Sequence, residues 1–242
     1  MTTNFLKKLS IATVSTAAIS LSFLGANPAQ AANLINNGGF ETGNLTDWSV
    51  TNNGSGGCDT DWNVNSTGTT GCFGRQSATE GTYAAYNSFD GDGPQEFRLE
   101  QSFSIAENVE SAILSWSDTA VTQIFGSLDR HFRVDLFTDS DVFNVFDLAF
   151  EAGTVGEYNW TARSFDVTSF LQANIGKEVT LAFSNQIPQS FSGPAGFGLD
   201  NIALNVEFQE SQAVPEPGTI AALGLIGLGG LLTKKKLNAS EN

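Results

Sequence analysis

Positive charge, histidine and cysteine are all scarce in this 242-residue chain, and each shortage removes a class of function. Eleven Lys and Arg stand against twenty-six Asp and Glu. Five of the eleven sit near the ends, at Lys7, Lys8 and Lys234–Lys236, so residues 32–213 hold six basic residues and twenty-four acids, a net −18. A surface of that sign repels phosphate backbones and anionic lipid, which argues against nucleic acid as a partner. It suits solubility outside a cell, and it also suits Ca²⁺. His131 is the single histidine, between Arg130 and Phe132 in a strand-like stretch. No G-x-S-x-G and no H-E-x-x-H occurs, so the usual serine-hydrolase and zinc-peptidase motifs are missing. The acids could supply a glycosidase-type pair, but nothing singles out two of them. The sequence gives no catalytic residue to name, and a non-enzyme is expected.

The two cysteines are Cys58 and Cys72. With no histidine nearby they make a poor zinc site. In an oxidising compartment they would form a disulfide closing a loop of 15 residues, worth about 3 kcal/mol in the chain-entropy account. Two free thiols are the alternative. The intervening Gly-, Thr-, Asn- and Ser-rich segment has little core of its own, which favours the staple.

The ends of the chain give its destination. Lys7-Lys8, an uncharged stretch Leu9–Leu24 and the small-x-small triplet Ala29-Gln30-Ala31 have the order of a secretory signal peptide, residues 1–31, cleaved by signal peptidase. At the other end, a linker over 209–217 contains Pro215-Glu216-Pro217. An uncharged apolar run then fills 218–233, and a basic tail spans 234–242 with Lys234, Lys235 and Lys236 at its start. Sixteen residues make a helix of about 24 Å, short for a hydrocarbon core of about 30 Å. Ile220–Leu232 has no polar face, so a transmembrane helix is expected with the lysines cytoplasmic and the acidic body outside.

Residues 32–208 read as strands and turns. Phe97, Leu99, Gln101, Phe103 and Ile105 alternate with polar neighbours, as do Phe132, Val134 and Leu136, and Ile202, Leu204, Val206 and Phe208. Further strands are expected at 48–51, 83–88, 112–116, 142–150, 157–165 and 179–183, with one short helix within 166–176 ended by Gly176. There is no repeat at solenoid or propeller period. About ten short strands with turns between them predict an all-β, antiparallel sandwich.

The stretch Asn33-Leu34-Ile35-Asn36-Asn37-Gly38-Gly39-Phe40-Glu41-Thr42-Gly43, followed by Asp47-Trp48, resembles the opening of jelly-roll carbohydrate-binding modules and galactose-binding-like domains. Phe197-Gly198-Leu199-Asp200-Asn201-Ile202-Ala203-Leu204 is similar to their closing strand. The resemblance implies a jelly roll with a structural Ca²⁺ tying first strand to last, held by Glu41 and Asp200; an exposed Glu and a turn Asp are the plainer reading. Asp59-Thr60-Asp61-Trp62-Asn63-Val64-Asn65 imitates an EF-hand opening, but Val64 stands at the Gly position and Thr70 at the Glu position, so that reading fails. Sugar rings stack on aromatic faces beside polar groups. Of the candidates Trp62, Phe73, Tyr86, Trp116, Tyr158 and Trp160, the least core-like are Trp62 and Phe73, which lie in polar loop sequence.

Pro215-Glu216-Pro217, the apolar run and the lysine cluster together resemble the PEP-CTERM sorting signal of exported bacterial proteins. Lysines replace the usual arginines, and Leu237–Asn242 extends past them. The resemblance implies an exosortase-type membrane enzyme as partner, and delivery to the cell surface or an extracellular polysaccharide matrix. The expectation for function is a non-catalytic structural or adhesive protein. A lectin-like glycan-binding module is the first alternative and a secreted hydrolase the second.

Overall fold

The structure is a computed structural model that describes residues 31–52, 61–70, 73–74, 76–105, 108–191 and 193–209. The signal segment up to residue 30, Cys58 and Cys72, and the PEP linker, apolar run and lysine cluster beyond 209 lie outside the described residues. Among the described residues no helix is long and apolar enough to cross a membrane.

Alternation of apolar and polar side chains sets the strands: β1 (Ala31–Asn33), β2 (Ser49–Asn52), β3 (Asn63–Asn65), β4 (Thr69–Thr70), β5 (Phe73–Gly74), β6 (Ala84–Phe89) and β7 (Gln95–Ser104). Then follow β8 (Val109–Gln123), β9 (Arg130–Phe137), β10 (Val142–Phe150), β11 (Val155–Asp166), the helix α1 (Thr168–Ala173), β12 (Glu178–Ile187) and β13 (Ala195–Phe208). One sheet runs β11-β8-β13-β6-β3, with β1 added alongside β13, and the second runs β10-β9-β12-β7-β2. Six of the seven steps from β6 to β13 change sheet; β9–β10 is the hairpin within one. This order, antiparallel throughout, is the double-Greek-key order of a jelly roll, as the sequence led us to expect.

Bulky rings from both inner faces interlock. Trp116 of β8 meets Phe183 of β12 edge-on at 5.6 Å, Phe132 of β9 stacks on Phe197 of β13 at 5.3 Å, and Phe89 of β6 lies 5.1 Å from Phe97 of β7. Arg130 is fully buried among these rings. Its guanidinium donates to the Phe89 and Gly193 carbonyls at 3.2 and 2.7 Å, joining β9 to the opposite sheet. Burial lowers its pKa to about 10, opposed by the neighbouring Asp90 charge.

The expected helix is one and a half turns. The Asp166 carboxylate accepts the Thr168 N–H at 2.9 Å, and Gly176 adopts φ +82°, the left-handed conformation expected where this segment ends. Several strands run longer than alternation alone indicated. β8 continues seven residues past Trp116, where small and hydroxyl side chains (Ser117, Thr119, Thr122) blur the apolar pattern but still pair with β13.

Trp116 bridges the sheets at the middle of the core, so Trp116→Ala should cost about 3–5 kcal/mol of unfolding free energy. Chemical denaturation followed by far-UV circular dichroism measures it. A loss below about 1 kcal/mol would show that the ring does not sit between the sheets.

Candidate functional site

The two sheets present very different outer surfaces. On the β11-β8-β13-β6-β3 sheet, outward residues Tyr86, Gly198 and Asp200 are buried because the chain between β5 and β6 lies over them. Tyr86 Oη donates to the Gln76 carbonyl at 2.8 Å, and Trp160 Nε1 of β11 donates to the Ser77 carbonyl at 2.9 Å. Gly198 is required here: a Cβ would stand 2.7 Å from Thr119 Cγ2 and 3.1 Å from the Trp160 ring.

Glu41 and Asp200 hold this cover from two sides. Asp200 Oδ2 accepts the Thr79 N–H at 2.9 Å and the Thr79 hydroxyl at 3.0 Å, while Oδ1 accepts the Asn201 N–H at 2.8 Å. Asn201 Nδ2 donates in turn to Thr79 Oγ1 at 2.9 Å. The Glu41 carboxylate accepts the Thr82 and Tyr83 N–H groups, each at 2.9 Å to Oε1. The sequence-predicted pair thus converges on one loop, 79–83, which links the first and last segments of the fold. Asp200 is fully buried, and desolvation raises its pKa against the hydrogen bonds from Thr79, Asn201 and Glu80 that lower it. Burial, then the Asp200 charge, push the Tyr86 phenol up to about 12. Two carboxylates, one of them buried and compensated only by neutral donors, are the residue types a hard cation takes. Among the described residues no three of His, Cys, Asp and Glu gather as a metal cluster.

The opening motif is ordered by the same end of the fold. Leu34 N–H donates to the Leu204 carbonyl at 2.9 Å, Ile202 N–H to the Gly38 carbonyl at 3.0 Å, and Phe40 is fully buried.

The outer face of the β10-β9-β12-β7-β2 sheet carries no such cover among the described residues. Every second residue of its three central strands points outward: Glu96, Arg98, Glu100 and Ser102 on β7; Thr180, Ala182, Ser184 and Gln186 on β12; His131, Arg133, Asp135 and Phe137 on β9. Register sets them in rows. Ala182 faces Glu100 on one side and Asp135 on the other, and Ser184 faces Arg98 and Arg133. Arg98 lies 3.3 Å from Glu96, 3.2 Å from Glu100 and 5.2 Å from the Phe137 ring centroid. Arg133 pairs with Asp135 at 3.6 Å and Asp147 at 3.5 Å, and His131 Nδ1 sits 2.6 Å from Asp147. Hydrogen bonds cross-link the rows, Gln186 to Glu96 at 3.2 Å and Asn144 to Asp135 at 2.8 Å. A recess lies at each end of this face. One, of about 400 Å³, is lined by Leu128, Asp129, His131, Gln186, Ile187 and Pro188. The other, of about 240 Å³, is lined by Phe137, Thr180, Lys177 and the 138–140 turn. Together they offer donors, acceptors and a few apolar walls to a ligand lying along the strands.

The aromatic candidates fare differently. Trp62 corrects the expectation placed on it: it is 3% exposed, its indole donates to the Phe97 carbonyl at 3.2 Å, and it closes one side of the core with no ring face free for a sugar. Its polar flanking sequence reflects the exposed residues Asp61 and Asn63 around a single inward anchor. The Phe73 backbone is in β5, and its side chain lies outside the described atoms. Tyr86 and Trp116 are buried, whereas Tyr158 is exposed on β11. The polar face itself was not singled out from sequence. Its signal was there, in charges at alternate positions within apolar strands (Glu96-x-Arg98-x-Glu100 and His131-x-Arg133-x-Asp135).

Beyond the described body, residues 213–236 match the PEP-CTERM protein-sorting motif. The chain carries a PEP-CTERM sorting signal. It is therefore made as an exported, membrane-anchored precursor that exosortase processes for the cell surface. No curated protein matches the chain in sequence. Among solved structures, the chain is similar to the carbohydrate-binding module TmCBM61 in complex with β-1,4-galactotriose, at 18% identity over 72% of this chain and 97% of that one, TM-score 0.44. It is similar also to the K3 adhesin domain of Lys-gingipain from Porphyromonas gingivalis (18% identity, 72% and 98% covered, TM-score 0.44). A third likeness is to the CBM22-1 xylan-binding domain of Xyn10C from Paenibacillus barcinonensis (11% identity, 76% and 99% covered, TM-score 0.43).

Thr79 Oγ1 serves both Asp200 and Asn201, so Thr79→Val should cost about 1–3 kcal/mol by leaving a buried carboxylate short of a donor. Thr51→Val, on the exposed rim of the other sheet, should stay within about 0.5 kcal/mol. Parallel urea titrations measure both, and equal effects would show that the loop is not held through Thr79.

Proposed function

We propose that this PEP-CTERM protein is a non-catalytic component of the cell surface or extracellular matrix that engages polysaccharide along the outer face of its β10-β9-β12-β7-β2 sheet. The observation that supports this most is the asymmetry of the sandwich. One outer face is closed by the chain running into β6, while the other is, among the described residues, an uncovered, cross-linked array of hydrogen-bonding side chains with a recess at each end. Fixed donors and acceptors suit sugar hydroxyls, because the ordering cost has been met before the ligand arrives. Resemblance to carbohydrate-binding modules supports the same reading, and sorting to the surface brings the face to its ligand.

Isothermal titration and affinity electrophoresis against a panel of bacterial and plant polysaccharides test it. Binding should appear without turnover of polysaccharide or ester substrates, and Arg98→Ala should weaken it roughly tenfold or more, as expected for loss of hydrogen bonds from a charged donor. Binding left intact by Arg98→Ala would move the site elsewhere, and turnover by the folded protein would replace the reading with a hydrolase.

A structural Ca²⁺ is proposed alongside, held by Glu41 and Asp200, where it would neutralise the buried Asp200 and tie the first segment to the last. The sign of the pH dependence tests it. In the metal-free protein the Asp200 pKa is raised by burial, so its ionised form opposes folding, and its contribution improves as pH falls through the carboxylate range. Bound calcium reverses this, favouring the ionised form. At pH 7 calcium should therefore raise the melting temperature and chelator lower it, with Asp200→Asn insensitive to both. An unchanged melt of the wild type would remove the metal.

A further inference from the structure

The charges on the open face carry a second consequence, which rests on the proposal that this face binds polysaccharide. Its two arginines are each held between carboxylates: Arg98 by Glu96 and Glu100 at 3.3 and 3.2 Å, and Arg133 by Asp135 and Asp147 at 3.6 and 3.5 Å. The remaining described basic side chains also have partners, though none is held between two carboxylates. Arg163 makes a two-pronged contact with Asp118 at 2.9 and 3.2 Å, Arg130 is buried between the sheets, and Lys177, at the smaller recess, reaches Asn174 at 2.9 Å and Asp141 at 3.4 Å. Four carboxylates against two guanidinium groups leave the face net negative when His131 is neutral, within a body of net −18.

We infer that the face selects its polysaccharide by charge, accepting neutral polymers and rejecting those that carry carboxylate or sulfate groups, and that Glu96 and Glu100 are specificity-determining residues. An acidic sugar needs a cation with donors to spare. Here each guanidinium charge is already offset by two carboxylates, so an incoming uronate finds no net positive charge and must approach those acids. Like charges brought together at short range repel, and the long-range field of the body slows the approach as well. A neutral sugar meets no such penalty. Its hydroxyls donate to the carboxylate oxygens that flank Arg98 and accept from guanidinium N–H groups, without breaking the pairs. The arginines serve as scaffolding that keeps the acids in place, and the acids set which polymers enter.

The experiment compares the exported wild-type protein with Glu96→Gln/Glu100→Gln by affinity electrophoresis, at low salt, in gels containing neutral xylan or β-galactan and in gels containing polygalacturonate or alginate. Wild type should be retarded by a neutral polymer and at least tenfold less by the acidic ones. In the double variant Arg98 loses its acidic partners, and the acidic-to-neutral affinity ratio should rise at least tenfold, an increase that added salt abolishes. Circular dichroism confirms that the variant is folded. Polygalacturonate or alginate bound by wild type as tightly as neutral polymer would overturn the charge rule while leaving polysaccharide binding in place, as would an unchanged ratio in the double variant. Absence of binding to every polymer would overturn the binding proposal and this inference with it.

Discussion

The grip of two carboxylates on the loop 79–83 decides the character of the molecule. Asp200, fully buried on the last strand, and Glu41, at the end of the opening segment, both accept backbone N–H groups of that loop. With the loop pinned, the chain before it lies over Tyr86 and Gly198, meets Trp160, and shuts one outer face of the sandwich. Among the described residues the other sheet keeps an outer surface without such a cover, its polar side chains paired with one another. On the proposed reading, a structural contact thus leaves one face for the ligand without touching it.

The outer face of the β10-β9-β12-β7-β2 sheet shows how β-sheet register assembles a candidate site. Strand order brings β7, β12 and β9 side by side, and the two-residue period turns alternate side chains outward. Small residues at Ala182 and Ser184 occupy the middle strand, leaving room for Arg98 to bond Ser184 at 3.3 Å and reach toward Phe137. The inner residues of the same strands, Phe97, Leu99, Phe183 and Val134, hold the backbone rigid by burial. Core and site are therefore opposite faces of the same alternation.

Much of this was legible in the sequence because it obeys local rules. The strands around Phe97–Ile105, Phe132–Leu136 and Ile202–Phe208, the end of the helical segment at Gly176 and the jelly-roll class all follow from period and turn chemistry. Resemblance at the two ends of the body singled out Glu41 and Asp200 as calcium carboxylates, whereas their shared grip on the loop 79–83 is seen only in the structure. What was not legible depends on tertiary environment. Trp62 sits in polar sequence, yet it points into the core because the edge between β3 and β7 needs a large apolar plug. Glu100 and Asp135 are thirty-five positions apart in the chain, and only the insertion of β12 between their strands places them around Ala182. No window of sequence contains that neighbourhood.

Export and sorting complete the account. β1 pairs with the end of β13, so the start of the body and its exit toward the sorting signal share one end of the sandwich, and the open face runs from that end to the far recess beside Leu128. The most direct measurement is hydroxyl-radical footprinting of the exported protein with and without a bound polysaccharide. Protection should fall on Phe137, His131 and Leu128, with Tyr158 on the opposite sheet unchanged. Protection of Tyr158 and the 76–83 cover, with Phe137 and His131 left reactive, would place the ligand on the closed side and contradict the account.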